Sequence, residues 1–390
     1  MLLLAVPSAL QAQFDYVTNN LTITITKYTG LDGVVVIPGT INDLPVTSIA
    51  DNAFSFIVIG NMPVFVAERL TSVTIPDTVL AIGDSAFFRC GRMTHLTIGN
   101  KVFSIGSNAF SECTGLTNVL IPDSVRNIGD SAFSGCTNLT AVRIGDRVTE
   151  IGRDAFSGCG ITSVTVPGGV TNIRSRAFAG SKATTISFGS RVANIEAEAF
   201  AFCGCLTEVT IPGTVAKIGK GAFFSCDRLR TVVIANGVTS IEKSAFFDCK
   251  HLTAVTIGNS ITNVGPEAFW GSGLRDITIP NSVVNIGPSA FCDSHKLRKV
   301  TVGNSTIKIG AEAFAGCSLT SITIPSSVSS IEDRAFLNTT SLTGIYFKGN
   351  APSIGKDVFA HDAGVIVYYL PGTTGWKTTL GDRPTKLCRP

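Results

Sequence analysis

The stretch "GDSAFSGC", from Gly129 to Cys136, is followed at a fixed distance by "GRDAFSGC", from Gly152 to Cys159. A chain organised around one reaction centre has little use for such repetition, so these copies decide the fold. Ala-Phe recurs at Phe54, Phe87, Phe110, Phe133, Phe156, Phe178, Phe200, Phe223, Phe246, Phe269, Phe291, Phe314 and Phe336, and Val358-Phe359 closes the series. Each step is 22 or 23 residues except the first, which is 33. Self-similarity at that period marks a solenoid, whose unit is too small to bury its own apolar face and buries it against its neighbours.

The unit reads approximately L-x-x-V-x-I-[PG]-x-x-V-x-x-I-G-x-x-A-F-x-x-C, and each part has a physical task. In "LTSVTI" (Leu70 to Ile75), Val73 and Ile75 fall on one face of a short strand and Thr74 on the other. Stacked coils then pair these strands in parallel, at about 4.8 Å per coil. Pro76, Gly99, Pro122 and Gly145 end the strand and turn the chain. V-x-x-I crosses the far side, and "GDSAF" is expected to form a short helical turn that drives the Phe inward. The pattern predicts a β-rich solenoid of about fourteen coils of 22–23 residues, with a parallel β-sheet on one face. Its core ladder runs from Phe87 to Phe336.

The segment "IPDSVRNIGDSAFSGCTNLTAVRIG" (Ile121 to Gly145) resembles, nearly position by position, the repeat of BspA-like, treponemal-type leucine-rich repeat proteins. Copies cover about Pro38 to Phe359. The resemblance implies a leucine-rich repeat solenoid, an extracellular or surface location and binding of other proteins in the manner of adhesins. It carries no catalytic motif to transfer. Several copies depart from the pattern by lacking the Cys.

Hydrophobic residues make up 44% of the 390, enough for an extended core, and the formal net charge is only +3. No global field points to nucleic acid. "MLLLAVPSALQAQ" resembles a secretory signal with Ala12 as the last residue removed, so a secreted or cell-surface protein is expected. No segment is long and apolar enough to span a membrane as a helix; "FSFIVIGNMPVFVA" (Phe54 to Ala67) is interrupted by Ser, Gly, Asn and Pro. The expected layout is a signal-peptide remnant (1–12), an N-terminal hairpin cap (13–45), the repeats (46–360) and a C-terminal cap (361–390). "FDYVTNNLTITIT" (Phe14 to Thr26) alternates apolar and polar residues around Asn19-Asn20, a hairpin signal that suits a cap over an open edge. "LPGTTG" (Leu370 to Gly375) reads as the end of the last strand, closed by Trp376. In this reading Val365, Tyr368, Leu370 and Pro371 repeat the register of Leu206, Val209, Ile211 and Pro212.

Eight of the eleven cysteines, Cys90, Cys113, Cys136, Cys159, Cys203, Cys226, Cys249 and Cys317, occupy one position, three after the Phe. Neighbours on stacked coils come within disulfide range. Ser181, Ser272, Ser294 and Thr339 fill the same position elsewhere, which favours a small buried residue over a required bridge. "CGC" (Cys203 to Cys205) lacks a second pair at zinc spacing, and His95, His251, His295 and His361 are scattered. "CKH" (Cys249 to His251) pairs an inward thiol with an imidazole, a poor nucleophile arrangement. No cofactor, no metal and no enzyme activity are expected.

What remains is surface. The outward mid-strand residue is most often Thr, from Thr74 and Thr97 to Thr301 and Thr323, a row that β propensity on a solvated face explains and that would also suit a repetitive surface such as glycan or ice. A sharper feature is Arg228, Arg230, Lys250, His251, Arg275, His295, Lys296, Arg298 and Lys299, spread over four successive coils near the start of the strand. Residues about 23 apart become neighbours in a solenoid, so they are expected to form one basic strip, with Asp227, Asp248, Asp276 and Asp293 among them. The insertion from Ser55 to Glu68 is apolar enough to pack as an extra strand or helix. The reading is a non-catalytic, monomeric, exported repeat protein binding a protein or glycan ligand, acidic ones included. The alternative is a structural or surface-layer component with no discrete ligand site.

Overall fold

The computed structural model describes residues 13–388 apart from 56, 60, 61 and 65–67. Residues 1–12, with the expected signal-peptide remnant, lie outside the described residues. The chain divides into two compact units, Met1–Val192 and Ala193–Pro390.

The first unit opens with an antiparallel hairpin, Phe14–Asn19 against Thr22–Tyr28. Its turn residues Asn20 and Leu21 have φ of 43° and 68°, the left-handed values a tight two-residue hairpin loop needs, so the turn lies one residue beyond Asn19-Asn20. Thr22–Tyr28 pairs in parallel with Leu44–Ile49. That strand pairs with Ala81–Ile82, and two-residue strands continue at Ser104–Ile105, Asn127–Ile128, Glu150–Ile151 and Asn172–Ile173. On the other side of each coil run the longer strands, beginning with Val34–Val36, Ser72–Thr74 and His95–Thr97. Parallel pairing thus occurs on two sides of the coil, where the sequence reading places it on one. The second half of V-x-x-I is a strand in its own right. The insertion forms two short antiparallel strands, Ile57–Ile59 and Met62–Val64.

The second unit repeats the scheme. Its two-residue ladder runs from Asn194–Ile195 through Lys217–Ile218 and onward to Ser330–Ile331 and Ser353–Ile354. Its longer strands run from Glu208–Ile211 to Ile366–Tyr369. Val367, not Tyr368, takes the inward place of Val209, because Val367 is the partner of Ile345 and Tyr368 of Tyr346. Only one residue separates Val365 from Val367 where two separate Leu342 from Ile345, which shifts the expected register by one. Nor is this the last strand, since Arg383–Leu387 pairs alongside it. Trp376 stacks on Tyr369 at 4.9 Å and meets Phe347 edge-on.

The expected helical turns are absent: among the described residues there is no α-helix, and none that could cross a membrane. The reason is visible around Phe133. Ser131 has a φ of 56° and Gly135 one of 72°, which a helix cannot accommodate. The N–H groups of Ser131, Phe133 and Gly135 donate not to their own coil but to the carbonyls of Arg153, Ala155 and Ser157 on the next. The residues between them, Ala132, Ser134 and Cys136, donate three positions back within the coil. This alternation holds each Phe at one height. Phe87, Phe110, Phe133 and Phe156 are fully buried, with ring centroids 5.1–5.4 Å apart and planes within 13°. The second unit stacks Phe200, Phe223, Phe246, Phe269, Phe291, Phe314 and Phe336 the same way. In the first unit Tyr28 takes the place of a Phe at the start of the column, stacked on Phe54.

Two predictions follow from this core. Phe156→Ala should cost about 3–5 kcal/mol by leaving a cavity between two rings, whereas exposed Phe103→Ser should change stability by less than about 0.5 kcal/mol; urea unfolding measures both. The second concerns Asp362, which stands where the other coils have Cys, Ser or Thr. It is buried, its carboxyl oxygens have no hydrogen-bond partner, and burial pushes its pKa up to about 7 against the pull of Arg383. The folded state therefore binds a proton that the unfolded chain releases near its ordinary value. Stability should fall as pH rises from about 4 to 7 and level off above. Melting temperatures of Asp362→Ser should lack that slope.

Candidate functional site

The Cys position has a definite duty. Cys113, Cys136, Cys159, Cys226, Cys249 and Cys317 each donate their Sγ–H to the Phe carbonyl of the preceding coil, at 3.1–3.3 Å. Ser294 and Thr339 donate to Phe269 and Phe314 in the same way. A small donor is what the site needs, and all eleven cysteines are free thiols. Burial raises Cys113 and Cys226 well above the usual thiol range and pushes Cys249 up to about 12. His251 donates its Nδ1–H to the Asp227 carbonyl at 2.6 Å, and Cys249 gives its Sγ–H to the Phe223 carbonyl rather than to an imidazole. Cys249 and His251 therefore form no nucleophile pair, and among the described residues no cluster of His, Cys, Asp or Glu could hold a metal.

All nine residues of the basic strip are exposed. Backbone bonds fix which are neighbours: Arg298 N–H donates to the Arg275 carbonyl at 2.9 Å, and Thr253 N–H to that of Arg230 at 3.0 Å. Lys299 lies opposite Asp276 in the strand register. Lys250 is drawn to Asp248 at 3.2 Å, and His295 donates to the Gly316 carbonyl. Among the described residues Arg228, Arg230, Arg275, Lys296, Arg298 and Lys299 have no carboxylate within ion-pair distance. Elsewhere the cations Arg89, Arg174, Arg176, Lys243, Lys308 and Arg334 each meet a carboxylate on a neighbouring coil. The strip is not continuous: the sheet opens between Ala254–Ile257 and Asp276–Thr278, dividing Arg228 to His251 from Arg275 to Lys299.

That opening is one of a series the sequence reading missed. Strands followed by Pro pair with the strand of the next coil, which is followed by Gly: Ser72–Thr74 with His95–Thr97, Asn118–Leu120 with Ala141–Arg143, Asp276–Thr278 with Lys299–Thr301. Among the described residues, the step from a Gly coil to a following Pro coil within one unit has either no pairing or one residue pair, Thr301 with Thr323. Proline has no N–H to give the coil before, yet that alone does not open the sheet, since the Pro76 coil pairs fully with Val34–Val36 of the Pro38 coil. Ala235 and Lys348, which hold the same position, donate to the Ile211 and Ile324 carbonyls of the coil before, and there the sheet is unbroken. The Gly of each pair is needed because its coil lies so close to its Pro neighbour that a Cβ on Gly145 or Gly303 would collide with the carbonyl of Pro122 or Pro280. The openings form grooves of about 310, 500 and 630 Å³ at Ile144/Thr165, Ile257/Thr278 and Val302/Thr323.

A second missed feature is an outer aromatic row, Phe202, Phe224, Phe247 and Trp270, with centroids 4.5–5.4 Å apart. The sequence signal was the second aromatic in "AFF" and "AFW" for Phe224, Phe247 and Trp270, while Phe202 comes one residue later, in "AFAF".

Comparison with known proteins agrees with this geometry. The family model described as BspA type leucine rich repeat region (6 copies) matches residues 58–184, 149–275 and 262–373. A leucine-rich repeat protein from Bacteroides ovatus is 25% identical over 97% of this chain and 98% of its own, with a TM-score of 0.66. The pneumococcal vaccine antigen PcpA is 20% identical over 92% of both chains, with a TM-score of 0.57, and shows the fold alone. A leucine-rich cell surface protein from Faecalibacterium prausnitzii is 26% identical over 87% of this chain and 94% of its own, with a TM-score of 0.44. No curated protein matches.

The donor rule for the Cys position is testable. Cys136→Ser should leave the unfolding midpoint nearly unchanged, while Cys136→Ala strands the Phe110 carbonyl and should cost about 1–3 kcal/mol.

Proposed function

Since the chain belongs to the BspA-type leucine-rich repeat family, we propose that it is a non-catalytic protein, exported or displayed at the cell surface, that presents an extended surface for binding a protein or glycan partner. The family match indicates no catalytic chemistry. One observation carries the reading: Arg228, Arg230, Arg275, Lys296, Arg298 and Lys299 are exposed without ion pairs and fall at one level of successive coils, near the start of the longer strands. Exposed pairs contribute little to stability, so leaving six cations unpaired costs the fold little. It does leave a local positive field for an anionic partner.

The test is binding of the full chain to extracellular-matrix proteins and sulfated glycans at low and high salt. Partners should be lost as salt rises. Changing Arg228, Arg230, Arg275 and Arg298 to Gln should weaken binding by about tenfold or more. An array without partners would favour the structural alternative.

A further inference from the structure

One groove lies within the second unit, between the coil of Lys299–Thr301 and that of Ser321–Ile324, and has a volume of about 630 Å³. Three observations give it a chemical character. Its rim is hydroxyl and amide: Thr278, Thr301 and Thr323 stand in one column, with Asn281 and Asn304 at the turns. The Asn281 Oδ1 accepts the backbone N–H of Asn304 at 2.9 Å, which fixes the amide and leaves its NH₂ as the outward group. Its charge is wholly positive, since Lys299 and Lys348 line it and no carboxylate does. In the first unit the same turn position holds Asp77 and Asp123, whose carboxylates accept the equivalent N–H groups of Asn100 and Asp146.

The third observation is aromatic. The Thr column continues directly into Tyr346 and Tyr368, the register partners that follow Thr323. Tyr346 is 40% exposed and lies back over Gly344, where a Cβ would crowd the ring. Its ring stacks on Tyr368 at 4.8 Å with planes within 8°. That covers one face of Tyr346 and leaves the other on the Thr323 side. An exposed aromatic face with a polar tip, beside a wall of hydroxyls and amides, suits the C–H face and hydroxyls of a pyranose ring. An acidic peptide would use the lysines but has no need of the tyrosine face.

We propose that this groove, with Tyr346 at its end, is a binding site for an extended acidic oligosaccharide, a hydroxyl-rich chain carrying carboxylate or sulfate groups. The inference rests on the binding role proposed above and assigns it a ligand class. Lys299 and Lys348 hold the acidic groups, the Asn and Thr side chains hydrogen-bond the hydroxyls, and Tyr346 stacks on one sugar. The neighbouring groove at Ile257/Thr278 shares Asn259, Thr278 and Pro280, but Asp276 lines it, so it can extend the site only for a sugar without an acidic group.

The experiment measures binding of the full chain to polygalacturonate and heparin oligosaccharides, to neutral cello-oligosaccharides, and to poly-glutamate, with two variants. Asn281→Asp with Asn304→Asp restores the carboxylates of the first unit and keeps the turn hydrogen bond. It should weaken both acidic oligosaccharides about tenfold or more without lowering the melting temperature. Tyr346→Thr installs the residue of the other coils and should weaken all sugars by about tenfold, sparing poly-glutamate. Preference between polygalacturonate and heparin distinguishes carboxylate from sulfate. The proposal is overturned if no oligosaccharide binds, or if binding survives both variants. It also falls if poly-glutamate binds as tightly as the sugars and Tyr346→Thr leaves all of them unchanged. A protein partner lost on neutralising Arg228, Arg230, Arg275 and Arg298, but indifferent to both groove variants, would retain the binding role and remove the glycan site.

Discussion

The hydrogen bond from the Phe133 N–H to the carbonyl of Ala155, 2.8 Å away on the next coil, is the contact on which the rest of the molecule depends. Its counterparts recur at Phe87, Phe110, Phe223 and Phe246. Because it joins equivalent residues of adjacent coils, it sets a common height for the rings and brings them into face-to-face stacking. It also requires left-handed backbone on either side of the Ala-Phe pair, at Ser131 and Gly135 or at Asn108 and Glu112. A helix would have turned those N–H groups inward along its own axis. The coil spends them on its neighbour, and so no coil is complete by itself.

A constraint of the same kind, with the opposite effect, operates on the longer strands. Proline withholds an N–H that would tie its coil to the coil before, and where a Pro coil follows a Gly coil within one unit the sheet opens or narrows to a single residue pair. The openings are a product of the repeat, yet their chemistry is not uniform. Asp occupies the turns of Asp77 and Asp123, whereas Asn occupies those of Asn281 and Asn304. Backbone sets where the grooves lie, and a few side chains set what each can hold.

The period, the Phe ladder and the parallel strands are all legible in the sequence, because each repeats and each follows from burial of apolar residues on one face. The conformation of "GDSAF" was not legible, since Asp, Ser and Ala are compatible with a helical turn and only the neighbouring coil's carbonyls select the left-handed alternative. The shift at Val367 was hidden by a one-residue shortening, invisible until its partner Ile345 is known. The basic residues could be grouped by their spacing, but their division into two sets could not. That depends on the alternation of Pro76, Gly99, Pro122 and Gly145, which as sequence looks like two ways of ending a strand.

The alternation also has a parity. A Pro coil leans on the Gly coil after it, so the smallest piece that can be copied without disturbing its surroundings is a pair of coils. Duplicating a Gly coil alone would set Gly beside Gly, whereas Pro beside Pro already occurs at Pro38 and Pro76 with the strands fully paired. Where Ala235 stands between Pro212 and Gly258, alanine supplies the N–H that keeps three strands together. A Pro–Gly pair is thereby a natural unit of duplication, and the alanine coil shows that a third strand joins the pair once the N–H is restored.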